Sequence, residues 1–410
     1  MTTDKKFNNI LNHTAKESIF PGASRRPGGL VPDPKKLLAA RIREARKRLD
    51  ITQQELAARA GFEAHQTISQ IESGEREVKA WELSRLASAL HVDLFELVAP
   101  PERHLSPLPK VLWRDRPAKN TRELEARFLE RCSQYRKLEV AAGFDVLPSL
   151  PPAEVQSVQV SHQDAIRLAH TALETLALGS RPADSLIKTL ENKYRVKVWY
   201  DDLSGGSAAA AIGDFGPAIL IRRTEPPWRR NFSAAHELFH LLTWVALPPE
   251  LLIERPDLWQ LAEKRANTFA ANLLLPSDSI TIEFQARVTD GQIRFSDLIE
   301  LAREFEVSTE ALLWRLANLG HMSKEGVEEL LRNVAFRELD RETMHDRWWE
   351  PSPLPERFVR LAFLAYQKGG LSRAKLAEYI DTSLVDLPET LAEYGLDEFE
   401  DQSLPVEVPS

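Results

Sequence analysis

The stretch His236-Glu237-Leu238-Phe239-His240 constrains this chain more than any other. Histidines four apart lie on one face of a helix, one above the other, at 3.6 residues per turn. Two imidazoles placed this way can share one metal ion, and Glu237 projects near the same face. The spacing therefore requires a helix, predicted here over about 229–246. Zinc at such a site lowers the pKa of a bound water to about 7. A neighbouring glutamate can take that water's proton and later deliver it to a leaving amine. The plainer alternative is two ordinary histidines on a surface or core helix.

Zinc also needs a third protein ligand and an open position. The single cysteine, Cys132, rules out a Cys-based cluster and an internal disulfide framework. The segment LAEKRANTFAANLLLP supplies Glu263, 23 residues after His240, on a helix predicted over about 257–275. Asn267, four residues on, shares its face and is placed to orient His236 through its amide. Leu261, Phe269, Leu273 and Leu274 are the expected packing face. Glu254 is a rival ligand, but it precedes Arg255-Pro256 and reads as loop. His162, His170 and His321 read as ordinary helix positions. A transition-state oxyanion wants a donor from outside these two helices. Tyr200, Arg230 and His321 are open candidates.

The rest of the chain reads as α+β with helices dominant. Strands are expected at 196–200, 206–213 and 217–222, the last two joined by a hairpin loop at Asp214-Phe215-Gly216. Residues 1–33 read as a flexible basic arm. Helical patterns run over 34–99, and residues 100–160 read as a linker with one helix at 121–142. A mixed region follows at 161–320, and a helical C-terminal region at 321–410. No run of about 18 apolar residues exists, and the N-terminus lacks a secretory stretch, so a cytoplasmic protein away from membranes is expected. Net charge is −8, but residues 1–48 hold twelve Lys/Arg against four Asp/Glu. A basic end on an acidic body puts only the first part near phosphates.

Residues 40–98 read as five short helices. Thr52 with Glu55 forms a capping box, Leu56 and Ala57 face inward, and Gly61 ends that helix in a turn. The next helix, about 65–73, exposes Gln66, Thr67, Ser69 and Gln70, with Ile68 and Ile71 inward. In this helix–turn–helix arrangement the second helix enters the major groove of double-stranded DNA. Gln pairs with adenine and Thr with thymine methyls or phosphates. Gln53 suits a phosphate or base contact. Arg41, Arg43, Arg46, Lys47 and Arg48 add phosphate attraction. The plainer alternative is a helical bundle with a solvated polar face.

Through TQQELAARAG, TISQIESGER and LSRLASALHVDLFEL, this segment resembles the Cro/cI-like (Xre) helix–turn–helix family. Six residues separate Gly61 from Ile68, where the common pattern has five. Residues 161–320 resemble the ImmA/IrrE family of regulatory metallopeptidases through PAILIR, RRNFSAAHELFHLL, EKRANTFAANLLLP and LAREFEVSTEALLWRLANLG. PLPERFVRLAFLAYQKGGLSRAKLAEYI resembles the tail of longer members. The resemblance implies a zincin-like domain with a gluzincin-type site: His236, His240 and Glu263 as ligands, and Glu237 as acid and base. Zinc is the implied metal, with manganese and iron(II) open as substitutes. Where that family commonly has Gly before the second histidine, this chain has Phe239, which either narrows the site or fills core.

The implied function is a DNA-binding regulator, homodimeric on its operator, whose peptidase cleaves a repressor or other partner protein. Two other readings stay open. One is a non-enzymatic regulator with the peptidase-like domain as sensor. The other is a toxin or defence component with an autoregulatory helix–turn–helix.

Overall fold

A computed structural model describes residues 33–100, 108–114, 121–153, 155, 157–203, 205–344 and 349–397. The basic arm expected over 1–33 lies outside the described residues except for Asp33.

Five helices come first: α1 (Pro34–Leu49), α2 (Gln53–Arg59), α3 (His65–Ser73), α4 (Ala80–Ala89) and α5 (Leu94–Val98). Asp33 caps α1, with Pro34 at its first position, where a missing N–H costs nothing. Thr52 and Glu55 form the expected capping box on α2. Gly61 and Gly74 take positive φ after α2 and α3, a conformation that strains other residues. Ile42, Leu56, Ile68, Leu86 and Leu97 are fully buried and make one small core. Glu72 is buried beneath it, held by Arg46 (2.6 Å) and Gln53 (2.9 Å). Burial pushes the Glu72 carboxyl upward, but these partners outweigh it and keep it ionised.

The body is built on a four-stranded sheet of β1 (Val111–Trp113), β2 (Lys197–Asp201), β3 (Ala208–Gly213) and β4 (Gly216–Arg222), in the order β1-β3-β4-β2. The β3–β4 hairpin is antiparallel, β2 runs parallel to β4, and β1 runs antiparallel along the outer edge of β3. Between β1 and β2 come α6 (Thr121–Ala141), α7 (His162–Thr175) and α8 (Pro182–Asn192). The 100–160 stretch is therefore not a linker carrying one helix. It supplies an edge strand as well as α6, and both are part of the packed body. Three residues are too few to show a strand period, so only their pairing with β3 reveals them.

Side chains alternate across the sheet and feed two cores. Leu112, Val198, Ala210, Ile219 and Ile221 face one side; Trp113, Trp199, Ala209, Ala211 and Leu220 face the other. The first core is closed by α7, α8, α9 (Pro227–Thr243), α10 (Pro249–Glu254), α11 (Pro256–Leu274), α12 (Ser277–Gln285), α13 (Phe295–Glu304), α14 (Thr309–Asn318), α15 (Lys324–Arg332) and α16 (Val334–Met344). The second is closed by α6 with α17 (Glu356–Gln367), α18 (Arg373–Tyr379) and α19 (Leu387–Glu393). Alanine is a poor strand former, yet Ala208–Ala211 are all fully buried. Small side chains let structure approach β3 closely from both faces.

A buried charge cluster ties the second layer down. Glu139 of α6 accepts from Lys197 of β2 (2.9 Å) and Arg357 of α17 (2.7 Å). Burial pulls the Lys197 ammonium down to about 8 against the attraction of Glu139. Among the described residues, no helix is long and apolar enough to cross a membrane.

Candidate metal centre and nucleic-acid interface

Pro227 stands at the first position of α9, and the helix runs against the sheet with Ala234, Ala235 and Leu238 fully buried. Phe239 is also fully buried, in the core beside Phe269 of α11, with ring centroids 5.8 Å apart. Its ring fills core. Burying it contributes about 2–3 kcal/mol and fixes α9 against α11.

That packing brings His236, His240 and Glu263 together. The two Nε2 atoms are 3.2 Å apart. Glu263 lies 3.3 Å from His236 Nε2 and 3.1 Å from His240 Nε2 through its two carboxylate oxygens. Tetrahedral zinc with bonds of about 2.0–2.1 Å separates its ligand atoms by roughly 3.3 Å, so the triangle has the right size. Among the described residues, no other group of three His, Cys, Asp or Glu is so arranged. Glu254 is exposed at the end of α10 and takes no part.

Asn267 stands where α11 spacing puts it, its Oδ1 3.0 Å from His236 Nδ1. With the proton on Nδ1, the ring donates to the amide oxygen and turns its Nε2 lone pair toward His240 and Glu263. Burial holds His236 neutral, down to about 4, against the attraction of Glu263. Burial pushes Glu263 upward, but the two histidines overcome it and keep the carboxyl ionised, near 2. A neutral imidazole with its lone pair inward, beside a carboxylate, is the state a divalent cation requires.

Glu237 is fully buried, and neither carboxylate oxygen has a hydrogen-bond partner. Burial raises its pKa well above the ordinary range; Glu263 adds to this and Arg114 opposes it. An orphaned buried carboxyl beside three converging ligand atoms fits a site completed by a metal and its water. Of the residues expected at the packing face of α11, Phe269, Leu273 and Leu274 are buried and Leu261 half-buried.

Two further neighbours lie outside the motif. The Trp259 ring lies parallel to His240, with centroids 6.0 Å apart and 8° between planes. It stands four residues before Glu263, so helix spacing was the available clue. Arg114 follows β1 and reaches Ser233 of α9 at 3.4 Å. Nothing local links residues so far apart in the chain.

The candidate oxyanion donors are committed to other partners or lie at another edge. Arg230 lies on α9 itself, not outside the two helices, and donates to the carbonyls of Arg223, Glu225 and Trp349. His321 meets Thr281 Oγ1 at 3.0 Å and lies against Phe284. Tyr200 is on β2, at the sheet edge opposite β1.

In the first five helices, Gln66, Ser69 and Gln70 are exposed on α3 and Thr67 is half-buried. Lys47 is exposed on α1. Arg41 departs from its expected role as a phosphate contact. It is buried and donates to the carbonyls of Leu97, Ala99 and Pro100. It shares the inward stripe of α1 with Ile42, Ala45 and Leu49, and there it satisfies carbonyls at the end of α5. Gln53 spends its amide on Glu72, and Arg46 pairs with the same carboxylate. Arg43, though exposed, donates to the Glu72 carbonyl at 2.9 Å. A sequence shows the charge of these residues but not which way they point.

The helix-turn-helix family model matches residues 42–97, and the IrrE N-terminal-like domain model matches residues 191–317. No curated protein matches the chain. Among solved structures, a Mycobacterium tuberculosis transcriptional regulator is similar at 17% identity, over 46% of this chain and 51% of that one, with a TM-score of 0.28. The match thus spans about half the length of that structure.

Proposed function

Since the chain joins a helix–turn–helix domain to an IrrE N-terminal-like domain, we propose that it is a DNA-binding transcriptional regulator with a zinc-dependent endopeptidase built in. The observation that carries the peptidase half is the triangle of His236, His240 and Glu263 beside a buried, unpartnered Glu237. His236, His240 and Glu263 would hold the metal, and Asn267 fixes the His236 ring. Bound zinc supplies a water acidic enough to lose its proton near neutral pH and polarises the scissile carbonyl. Glu237 accepts the water's proton and hands it to the leaving amine.

The substrate we expect is a protein, a repressor or other partner of the same regulatory circuit. Gln66, Thr67, Ser69 and Gln70 of α3 would read bases, with Arg43 and Lys47 near the backbone. A homodimer on a two-fold operator is expected, and the exposed Phe95 and Val98 of α5 offer it an apolar surface. The test combines zinc-loaded protein with candidate repressors encoded beside it. Wild type cleaves one of them, and Glu237→Gln binds zinc but does not. Cleavage at an equal rate by the variant would sink the mechanism.

A second reading is a metal-binding sensor without peptidase activity. The complete burial of His236 and Glu237 favours it, since a peptide must reach both. Promoter repression that responds to zinc and is unchanged by Glu237→Gln would select this reading.

A further inference from the structure

We infer that Arg114 is the substrate-facing cation of the metal centre: its guanidinium binds the substrate oxygen that becomes anionic when the scissile carbonyl is attacked. This inference rests on the peptidase reading above.

Arg114 is held in place from three directions. Its backbone N–H donates to the Ala208 carbonyl at 3.1 Å, continuing the β1–β3 ladder. Its guanidinium lies 5.2 Å from the Phe232 ring centroid and donates to Ser233 Oγ at 3.4 Å. Ser233 is fully buried on α9, three residues before His236 and four before Glu237. That spacing puts it on their face, one turn away. The arginine head thus stands one helical turn from the metal ligands.

Among the described residues, no carboxylate claims the charge of Arg114, and the Ser233 hydroxyl takes one of its five N–H donors. A half-buried guanidinium without a counter-charge is costly unless an anion arrives. Glu237 is near enough to feel this charge, yet the two do not pair.

The chemistry wants such a group. The water oxygen adds to the carbonyl carbon, and the C=O π pair moves onto oxygen, which becomes anionic. Glu237 takes the water's proton and returns it to nitrogen as the C–N bond breaks. Arg114 keeps all its protons and contributes charge-assisted hydrogen bonds to the anionic oxygen. Arg230 and His321 are engaged elsewhere, and Tyr200 is at the far sheet edge. Arg114 also lies outside residues 191–317, so the segment preceding the family-matched region supplies it.

The test uses the full-length protein loaded with cobalt(II), whose visible spectrum reports ligands at the metal. The probes are phenylphosphonate, a tetrahedral anion, and imidazole, a neutral metal ligand. Arg114→Gln is expected to weaken phenylphosphonate binding about tenfold or more, leaving imidazole binding unchanged. Arg114→Lys, which keeps the charge, is expected to regain part of that loss. Equal weakening for both probes, no weakening, or no recovery in Arg114→Lys would overturn the assignment while leaving the metal site standing. Wild-type protein that takes up no metal would overturn the peptidase reading and this assignment together.

Discussion

His236 Nδ1 lies 3.0 Å from the Asn267 Oδ1 atom, so α11 fixes the ring orientation of a residue on α9. The same helix carries Glu263 one turn earlier. One helix therefore provides both the third candidate ligand and the support for the first.

The first expectation follows from that support. Asn267→Ala should lower zinc affinity about 10- to 100-fold, because the His236 ring loses the partner that sets its tautomer. Glu254→Ala should leave affinity unchanged. Competition with a chromophoric chelator measures both, and equal affinities for wild type and Asn267→Ala would count against the geometry.

Glu237 predicts a pH dependence for the metal-free protein. Its folded pKa is raised above the ordinary 4.5, chiefly by burial. The folded state then binds the proton more tightly than the unfolded state. Stability from this group is full below about pH 4.5 and falls as pH rises toward the folded pKa. Glu237→Gln removes the titration, so the variant should melt progressively higher than wild type as pH rises from about 5 toward the folded pKa. A constant gap across that range is the contrary outcome.

Trp259 offers a built-in reporter. Its ring is parallel to His240 at 6.0 Å, so an ion on that imidazole sits beside the indole. Cobalt(II) should quench tryptophan emission, and Trp259→Phe should remove most of the quench despite eight remaining tryptophans. A quench of undiminished size would place the ion elsewhere.

The DNA-binding half separates base reading from charge. Gln70→Ala should cost about 1–3 kcal/mol on a specific site and leave the salt dependence unchanged. Lys47→Ala should weaken binding to all sequences alike and reduce the log–log salt slope by about one. Fluorescence anisotropy at several salt concentrations distinguishes them. Interchanged effects would mean that α3 does not enter the groove as proposed.

The parts legible in the sequence share one property: their geometry is local. The i,i+4 pairs His236–His240 and Glu263–Asn267 each lie within one helix, and so does the Thr52–Glu55 capping box. An amphipathic pattern brings α9 and α11 face to face, and the candidate ligands follow. The illegible parts depend on distant partners. Val111–Trp113 become a strand only because Ala209–Ala211 wait a hundred residues on. Arg41 is buried because the end of α5 needs donors, which its charge alone does not announce. Arg114 meets Ser233 across the fold.

The edge strand β1 sets the size of the piece that can be transplanted. A graft cut at residue 191 would carry β2, β3 and β4 but leave the outer side of β3 bare. That bare edge is a run of alanines, uncharged, with unpaired amides and carbonyls inviting another chain. Clumping of such a graft, relieved by restoring residues from about 108 onward, would be the cost of treating the family boundary as the folding boundary.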